Sequence, residues 1–246
     1  MAQAHSHHHH GGASTVRRGG AHFDQIAERY NASLPTHVIA HYLTKRINMV
    51  RSLVPPPGPL LDVGCGTGML AWGLTGAGYT VTGLDASQGM LEEAPMDRPF
   101  GRLLGSATHL PFRDGAFPAI ITVAMLHHIA EPGPVAAAVR EIVRVVAPGG
   151  AAIIWDHNPL NPYWPYLMRR LPQDDEDTRL VPAEEILAAV GRPAGCTVTL
   201  HRSGWIPEFA PAWSLPALQL LERGLEAAPF VRERSAHNVV VVRKHA

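Results

Sequence analysis

The stretch Leu60-Leu61-Asp62-Val63-Gly64-Cys65-Gly66-Thr67-Gly68 decides the fold. Leu60 to Val63 reads as a short apolar strand and Gly64 to Gly68 as a Gly-x-Gly-x-Gly loop; helical spacing then runs from Met69 to Thr75. A strand that enters glycines and then a helix is a nucleotide-type loop, because glycine lets the backbone approach a ligand that a Cβ would exclude. Two familiar loop types are excluded by the residues present. The dinucleotide fingerprint needs a further glycine where Met69 stands, and the phosphate-binding P-loop needs a Gly-Lys-Ser/Thr that this loop lacks. No basic residue stands ready for a pyrophosphate, so the loop suits an adenosine ligand without phosphates.

Downstream, strands and helices alternate. Thr80 to Leu84 forms a second strand ending at Asp85, Ser87 to Ala94 a helix, Arg102 to Leu104 a third strand and Phe117 to Val123 a fourth. Val135 to Val146 is helical, with Val135, Val139, Ile142, Val143 and Val146 on one face, and Pro148-Gly149-Gly150 turns the chain into a fifth strand, Ala151 to Trp155. Strands separated by helices imply parallel pairing through right-handed crossovers, hence a doubly wound α/β sheet. Asp85 lies seventeen residues after Gly68, at a strand end where a carboxylate can take both hydroxyls of a ribose. Its other reading is a helix N-cap, a role for which Ser87 competes.

Upstream, Ile39, Tyr42, Leu43, Ile47, Val50 and Leu53 recur at helical spacing. Pro35 opens that helix, separates it from a shorter one at Phe23 to Tyr30, and Pro55-Pro56-Pro57-Gly58-Pro59 ends it. Beyond Trp155 the alternation falters. Asp156 to Val181 shows little regular pattern; a helix (Ala183 to Val190), a strand (Thr197 to His201) and a last strand (Asn238 to Val242) follow. Between the last two strands lie Trp205, Ile206, Phe209, Trp213, Leu215, Leu218, Leu221 and Leu225. Core packing accounts for most of these, with an aromatic acceptor pocket or a lipid-facing patch as the functional readings.

The whole chain has 246 residues, 46% of them hydrophobic, with 21 basic against 21 acidic side chains and a pI near 7.3. That balance argues against a protein living on nucleic-acid phosphates or on a polybasic membrane contact. Two cysteines, Cys65 and Cys196, exclude a disulfide framework and a four-cysteine zinc site. Val63 to Leu84 is free of charged residues, but its glycines and threonines break it into separate elements, so no transmembrane helix is expected. The N-terminus shows no basic run followed by an apolar one; a cytoplasmic protein is expected. Residues 1–20 hold five of the fifteen histidines and read as a tag or disordered tail, with a metal-binding tract as the other reading.

Five blocks stand in order: Leu61 to Gly68, Gly83 to Leu91, Gly105 to Phe112, Ala124 to Ile129 and Glu141 to Gly150. The series resembles the class I S-adenosylmethionine-dependent methyltransferases, in the type 11-like branch with small-molecule acceptors. The resemblance implies a Rossmann-like, mostly parallel seven-stranded sheet with N-terminal helices and a late insertion. It implies one methyltransferase domain over 21–246: a helical cap at 21–54, a cofactor-binding core at 55–156, and acceptor-side and C-terminal strands at 157–246. S-adenosyl-L-methionine is the implied cofactor and S-adenosyl-L-homocysteine its product. Gly64, Gly66 and Gly68, with Cys65 among them, would pass under the methionine portion, and Asp62 would orient the loop. Asp85 and Ala86 would meet the ribose, and Met90 and Ala107 the adenine. Ala124 would lie beside the methionine. Ser106 stands where the family usually has Asp, which weakens the expected contact to the adenine amino group. Tyr30, in a segment similar to the family's closing helix, is a candidate for the cofactor's carboxylate or the acceptor.

His127 and His128 follow the fourth strand, at the carboxyl edge where ligands bind, and His157 lies in the loop after the fifth. Each is a candidate base or a hydrogen-bonded structural histidine. Asp156 to Trp164 is similar to the Asn-Pro-Pro-Tyr motif of amino-methylating nucleic-acid enzymes, but follows the wrong strand with the wrong spacing. The expected activity is methyl transfer to a small or amphipathic organic acceptor, driven mainly by positioning, with no metal, no nucleic acid and no stable membrane insertion. A non-catalytic protein, or one binding a modified sulfonium cofactor, is the alternative.

Overall fold

The computed structural model describes residues 21–27, 35–97, 99–129, 131–168, 178–207 and 209–246. Its centre is a seven-stranded sheet built from the apolar runs: β1 (Gly58–Val63), β2 (Tyr79–Asp85), β3 (Gly101–Leu104), β4 (Phe117–Val123), β5 (Val146–His157), β6 (Cys196–Ser203) and β7 (His237–Lys244). The spatial order is β3-β2-β1-β4-β5-β7-β6. The first five strands pair in parallel, and β7 lies antiparallel between β5 and β6.

Side-chain alternation divides each central strand between two cores. Leu61, Val63, Ile120, Ile154, Val240 and Val242 face one core, closed by α5 (Pro132–Val145) and α7 (Ala183–Val190). Leu60, Ala119, Ile121, Ile153, Val239 and Val241 face the other, against α2 (Thr36–Leu53) and α3 (Met69–Gly76). A sheet buried on both faces needs apolar residues at consecutive positions, which is why these strands read as unbroken apolar runs.

Two differences from the sequence reading concern local geometry. The turn expected at Pro148-Gly149-Gly150 is an irregularity within β5: Val146 pairs with Phe117, Ala151 pairs with Ala119, and the residues between bulge from the register. The helix expected from Ser87 is α4 (Gln88–Glu92), with Ser87 as its N-cap, accepting from the Met90 amide at 3.0 Å. The N-terminal helix α1 is described over residues 21–27. It is fastened to α4 through Asp24 Oδ1, which accepts from Ser87 Oγ at 2.5 Å and from the Gly89 amide at 2.8 Å.

A third packing layer joins α2 to α8 (Leu215–Ala227), with Val38, Tyr42, Ile206 and Ala210 at its centre. Short helices α6 (Trp164–Leu167) and α9 (Pro229–Arg232), with 3-10 turns at Leu126–His128 and Ala212–Ser214, complete the described elements. α8 turns acids inward. Glu222, 3% exposed, accepts from His41 Nε2 at 2.9 Å and the Trp205 amide at 2.8 Å, and pairs with Lys45 at 3.0 Å. Burial by itself raises the Glu222 carboxyl, but the bonds from His41 and Trp205 and the Lys45 charge outweigh it and pull it down to about 2. A carboxyl that is more acidic folded than unfolded stabilises the fold above its unfolded pKa, and that stability is lost as pH falls from about 4.5 towards 2. Glu222→Gln is expected to lower stability by about 3 kcal/mol at neutral pH and to flatten the acid limb of Tm against pH in that window. Thermal melts from pH 2 to 7 check it; an unchanged acid limb contradicts it.

Candidate active site

The carboxyl ends of β1, β2, β4 and β5 open onto one cavity of ≈ 550 Å³. Asp62, Gly64, Cys65, Gly66, Asp85, Ala86, Met90, Ser106, Ala107, Ala124, His127, His128 and His157 all line it. Gly68 does not. It is the N-cap of α3, packed under Phe100, where an added Cβ would stand 2.2 Å from the ring, so it shapes the loop from beneath. Tyr30 lies outside the described residues.

The loop needs its glycines for two different reasons. Gly64 has φ +74° and a Cβ there would stand 2.4 Å from Met125 Cγ. Gly66 has φ +53° with nothing within 4 Å of where a Cβ would project, so its bare backbone forms part of the cavity floor. Asp85 braces this floor: Oδ2 accepts from the Gly66 amide at 2.7 Å and Oδ1 from the Ser87 amide at 2.9 Å. Asp62 Oδ2, by contrast, is a buried acceptor with no hydrogen-bond partner among the described residues. Ser106 Oγ is engaged locally, 2.8 Å from Thr108 Oγ1 and accepting from the Thr108 amide at 3.2 Å. Ala124 is the non-glycine residue held at positive φ (+52°) among those described; the fold maintains this sparsely populated conformation at the head of β4.

Across the cavity the wall changes character. His127 Nδ1 lies 2.6 Å from Asp156 Oδ1, and the Leu126 and His157 amides also donate to that carboxylate, at 2.7 Å each. His157 stacks between His127 and Trp164, at 4.2 Å and 3.7 Å between ring centroids, making a flat aromatic wall. Burial beside His127 lowers His128 and His157 well below the ordinary imidazole range. Burial and the Arg46 charge push His237 down to about 3. His127, Asp156 and His157 bring donor atoms within 4.8 Å of one another, the proximity a metal ion asks for. The 2.6 Å contact has hydrogen-bond length, whereas separate ligands of one tetrahedral ion, each at about 2.0–2.2 Å from it, stand farther apart.

Two contributors to this site were not singled out from sequence. Asp156 follows Trp155, which pairs with Val123, so β4–β5 pairing brings it to the head of β4 beside His127. Arg46 sits in the buried stripe of α2, between Leu43 and Val50, and reaches the cavity with its guanidinium 5.5 Å from the Trp155 ring and 5.8 Å from that of Tyr42. The signal is a cation within the apolar helical stripe, next to Lys45.

The comparisons with known proteins agree with this architecture. A family model for the methyltransferase domain matches residues 61–154. A demethylmenaquinone methyltransferase of Parafrankia sp. is 30% identical over 221 residues, which cover 75% of this chain and 85% of that protein. The chain belongs to the class I S-adenosylmethionine-dependent methyltransferases. A demethylmenaquinone methyltransferase of Renibacterium salmoninarum is 34% identical over 160 residues, 62% of this chain and 66% of that one. Among solved structures, a methyltransferase of Thermotoga maritima described as a possible histamine N-methyltransferase superposes with a TM-score of 0.62. It covers 91% of this chain and 99% of its own at 19% identity, and so bears on the fold alone.

The cavity of this methyltransferase fits S-adenosylmethionine. The Gly66 floor, the Asp85 carboxylate and the unpartnered Asp62 oxygen offer a bare backbone, a hydroxyl acceptor and an acceptor for a cationic donor. Burial, with Asp85 nearby, raises Asp62 to about 7 against the pull of Arg46. Burial raises Asp85 too, offset by the amides of Ser87, Gly66 and Ala86. Cys65 is pushed up by burial and by both carboxylates, which keeps it a thiol. A cationic ligand favours the ionised form of Asp62, so protonation competes with binding. Affinity for S-adenosylmethionine is expected to rise about tenfold per pH unit below about 7 and to level off above it. Calorimetry from pH 5.5 to 8.5 checks this, and Asp62→Asn is expected to flatten the profile.

Proposed function

We propose that this methyltransferase methylates a ring position of a small lipophilic hydroquinone, with His127 taking the acceptor's proton. The observation that carries the reading is the continuity of the cavity: one end is the glycine loop with Asp85, the other the flat His127-His157-Trp164 wall. A planar, weakly polar ring matches such a wall. The relatives' names specify demethylmenaquinone as their acceptor, and the even charge balance of this chain disfavours a nucleic-acid acceptor.

Asp62, Gly64, Cys65, Gly66 and Arg46 are assigned to the methionine end of the cofactor, with Arg46 facing its carboxylate. Asp85 and Ala86 are assigned to the ribose, and Met90, Ser106 and Ala107 to the adenine. When bound, S-adenosylmethionine supplies an electrophilic methyl group on a sulfonium. The remaining work belongs to the chain. Asp156 holds the His127 ring through Nδ1, which fixes Nε2 as the basic nitrogen. A phenolic hydroxyl set beside Nε2 would give up its proton there, leaving a ring carbon electron-rich enough to take the methyl as the carbon–sulfur bond breaks and the neutral thioether leaves. The hydrogen of the methylated carbon then departs as a proton and the ring oxygen is reprotonated from His127, which restores the aromatic hydroquinone. The buried walls exclude water, and holding two reactants in register contributes about 7–11 kcal/mol, against the 10²–10⁴-fold of a base.

The test is methyl transfer from labelled S-adenosylmethionine to a reduced, short-chain demethylmenaquinone, with the product's ring position read by mass spectrometry. Ring methylation supports the reading; cofactor binding without transfer to reduced quinones overturns it. A carboxylated sulfonium cofactor is a second reading, favoured by Arg46 on the cavity wall. The mass of the cofactor retained through purification separates the two.

A further inference from the structure

Helix α8 is amphipathic the wrong way round. Its glutamine and both its acids face the protein: Gln219 meets His41 Nδ1 at 3.1 Å, Glu222 is the buried acid described above, and Glu226 pairs with Lys45 at 2.6 Å. Glu226 also accepts from the Gly204 amide at 2.7 Å and from Ser203 Oγ at 3.0 Å. These bonds fasten α8 to the loop that forms one wall of the cavity, and they fix which side of the helix faces out. The outward side is apolar. Leu220 is 71% and Leu221 54% exposed, with Ala217, Gly224 and Ala227 exposed beside them. Aromatic residues flank the helix at both ends, Trp213 at 85% and Phe230 at 93% exposure. Such side chains are ordinarily withdrawn from water, and a contiguous exposed set marks a surface made for a partner.

Two observations name the partner. Over residues 211–234 the exposed charges are Arg223, Arg232, Arg234 and Glu233; Glu233 pairs with Arg202 at 3.1 Å and with Arg232 at 3.6 Å, so the sum over these groups stays positive. An apolar helix face edged by arginines complements an anionic bilayer, with the helix lying in the interface. A second copy of the chain would set these arginines against one another. The apolar surface also continues into the cavity: Phe209, 73% exposed, stands 6.1 Å from the Tyr163 ring, and Tyr163, Trp205 and Ile206 line the site. We infer that the α8 face is a docking surface for anionic lipid, placing the acceptor end of the cavity at the membrane from which a lipophilic acceptor is drawn. No helix among the described residues is long and apolar enough to cross a membrane, so the contact is peripheral. Its purpose rests on the lipophilic-acceptor reading above; lipid binding itself is measured without acceptor, so the two fail separately.

The experiment is co-sedimentation of the full chain with vesicles of phosphatidylcholine alone and of phosphatidylcholine with phosphatidylglycerol. The wild type is expected to bind the anionic vesicles, and less so as salt rises. Leu220→Glu and Phe230→Ser are each expected to weaken partitioning by about ten- to a hundredfold, the scale of removing one buried apolar side chain. Both variants should keep the wild-type Tm and affinity for S-adenosylmethionine. Absence of binding by the wild type, or equal binding by the apolar-face variants, overturns the inference. So does a wild-type dimer on size-exclusion chromatography that Leu220→Glu converts to monomer, which would assign the surface to a second copy.

Discussion

Replacing Asp85 with alanine is expected to weaken S-adenosylmethionine binding by about ten- to a hundredfold, read by calorimetry at pH 8. A charge-assisted hydrogen bond is worth about 1.5–3 kcal/mol. The side chain also braces the loop, since Oδ2 holds the Gly66 amide and Oδ1 the Ser87 amide. The substitution would therefore remove the proposed ribose contact as well as loosen the floor, which argues for the upper part of that range. Asp85→Asn tests the need for a carboxylate at nearly unchanged volume. Its one remaining carbonyl can keep one of the two amides, and its amide group offers donors where the loop presents donors. Asn at this position is expected to bind no better than Ala. An Asp85→Ala variant that binds as the wild type does would remove Asp85 from the cofactor site.

The second large effect concerns His127. His127→Ala is expected to lower kcat by about 10²–10⁴-fold at saturating cofactor while leaving the affinity for S-adenosylmethionine within a few-fold. Asp156→Asn is expected to follow it more weakly, because the Nδ1 partner orients the ring without touching the acceptor. The readout that distinguishes a base from a packing residue is the dependence on the acceptor's acidity: an acceptor of lower pKa should recover activity selectively in the variant. His128→Ala and His157→Ala are expected to cost less. Burial holds both imidazoles well below their ordinary range, and among the described residues it is the His127 ring that meets a carboxylate, Asp156 at 2.6 Å. A loss beyond 10⁴-fold for His127→Ala with binding intact would exceed what a base gives and overturn the positioning account.

The legible parts of this molecule are those where one physical requirement acts alone. β4 runs from Phe117 to Val123 and α7 from Ala183 to Val190, as their apolar spacing predicts, because burial on both faces or along one stripe dictates every second or every third and fourth residue. The glycine loop is legible for the same reason: backbone at φ +74° and +53° favours glycine, which adopts it without a Cβ penalty. Legibility fails where two requirements compete. Leu221 reads as core by hydrophobicity yet is 54% exposed, because the ionic and hydrogen-bond network of Gln219, Glu222 and Glu226 decides which face of α8 turns in; Phe209 and Trp213, in the segment before α8, are exposed as well. The His127–Asp156 pair joins residues 29 apart and becomes visible only once β4 and β5 are known to be neighbours. Arg46 stands next to Lys45, and only the packing of α2 shows which of the two cations reaches the cavity.

The central claim is that one cavity joins a cofactor floor to a base-bearing acceptor wall. Single-turnover transfer from labelled S-adenosylmethionine to a reduced short-chain demethylmenaquinone, run with wild type, Asp85→Ala and His127→Ala in parallel, tests it most directly. The account predicts ring-methylated product with the wild type, a rate restored by excess cofactor in Asp85→Ala, and a rate that excess cofactor cannot restore in His127→Ala. Equal single-turnover rates in His127→Ala and the wild type would contradict it.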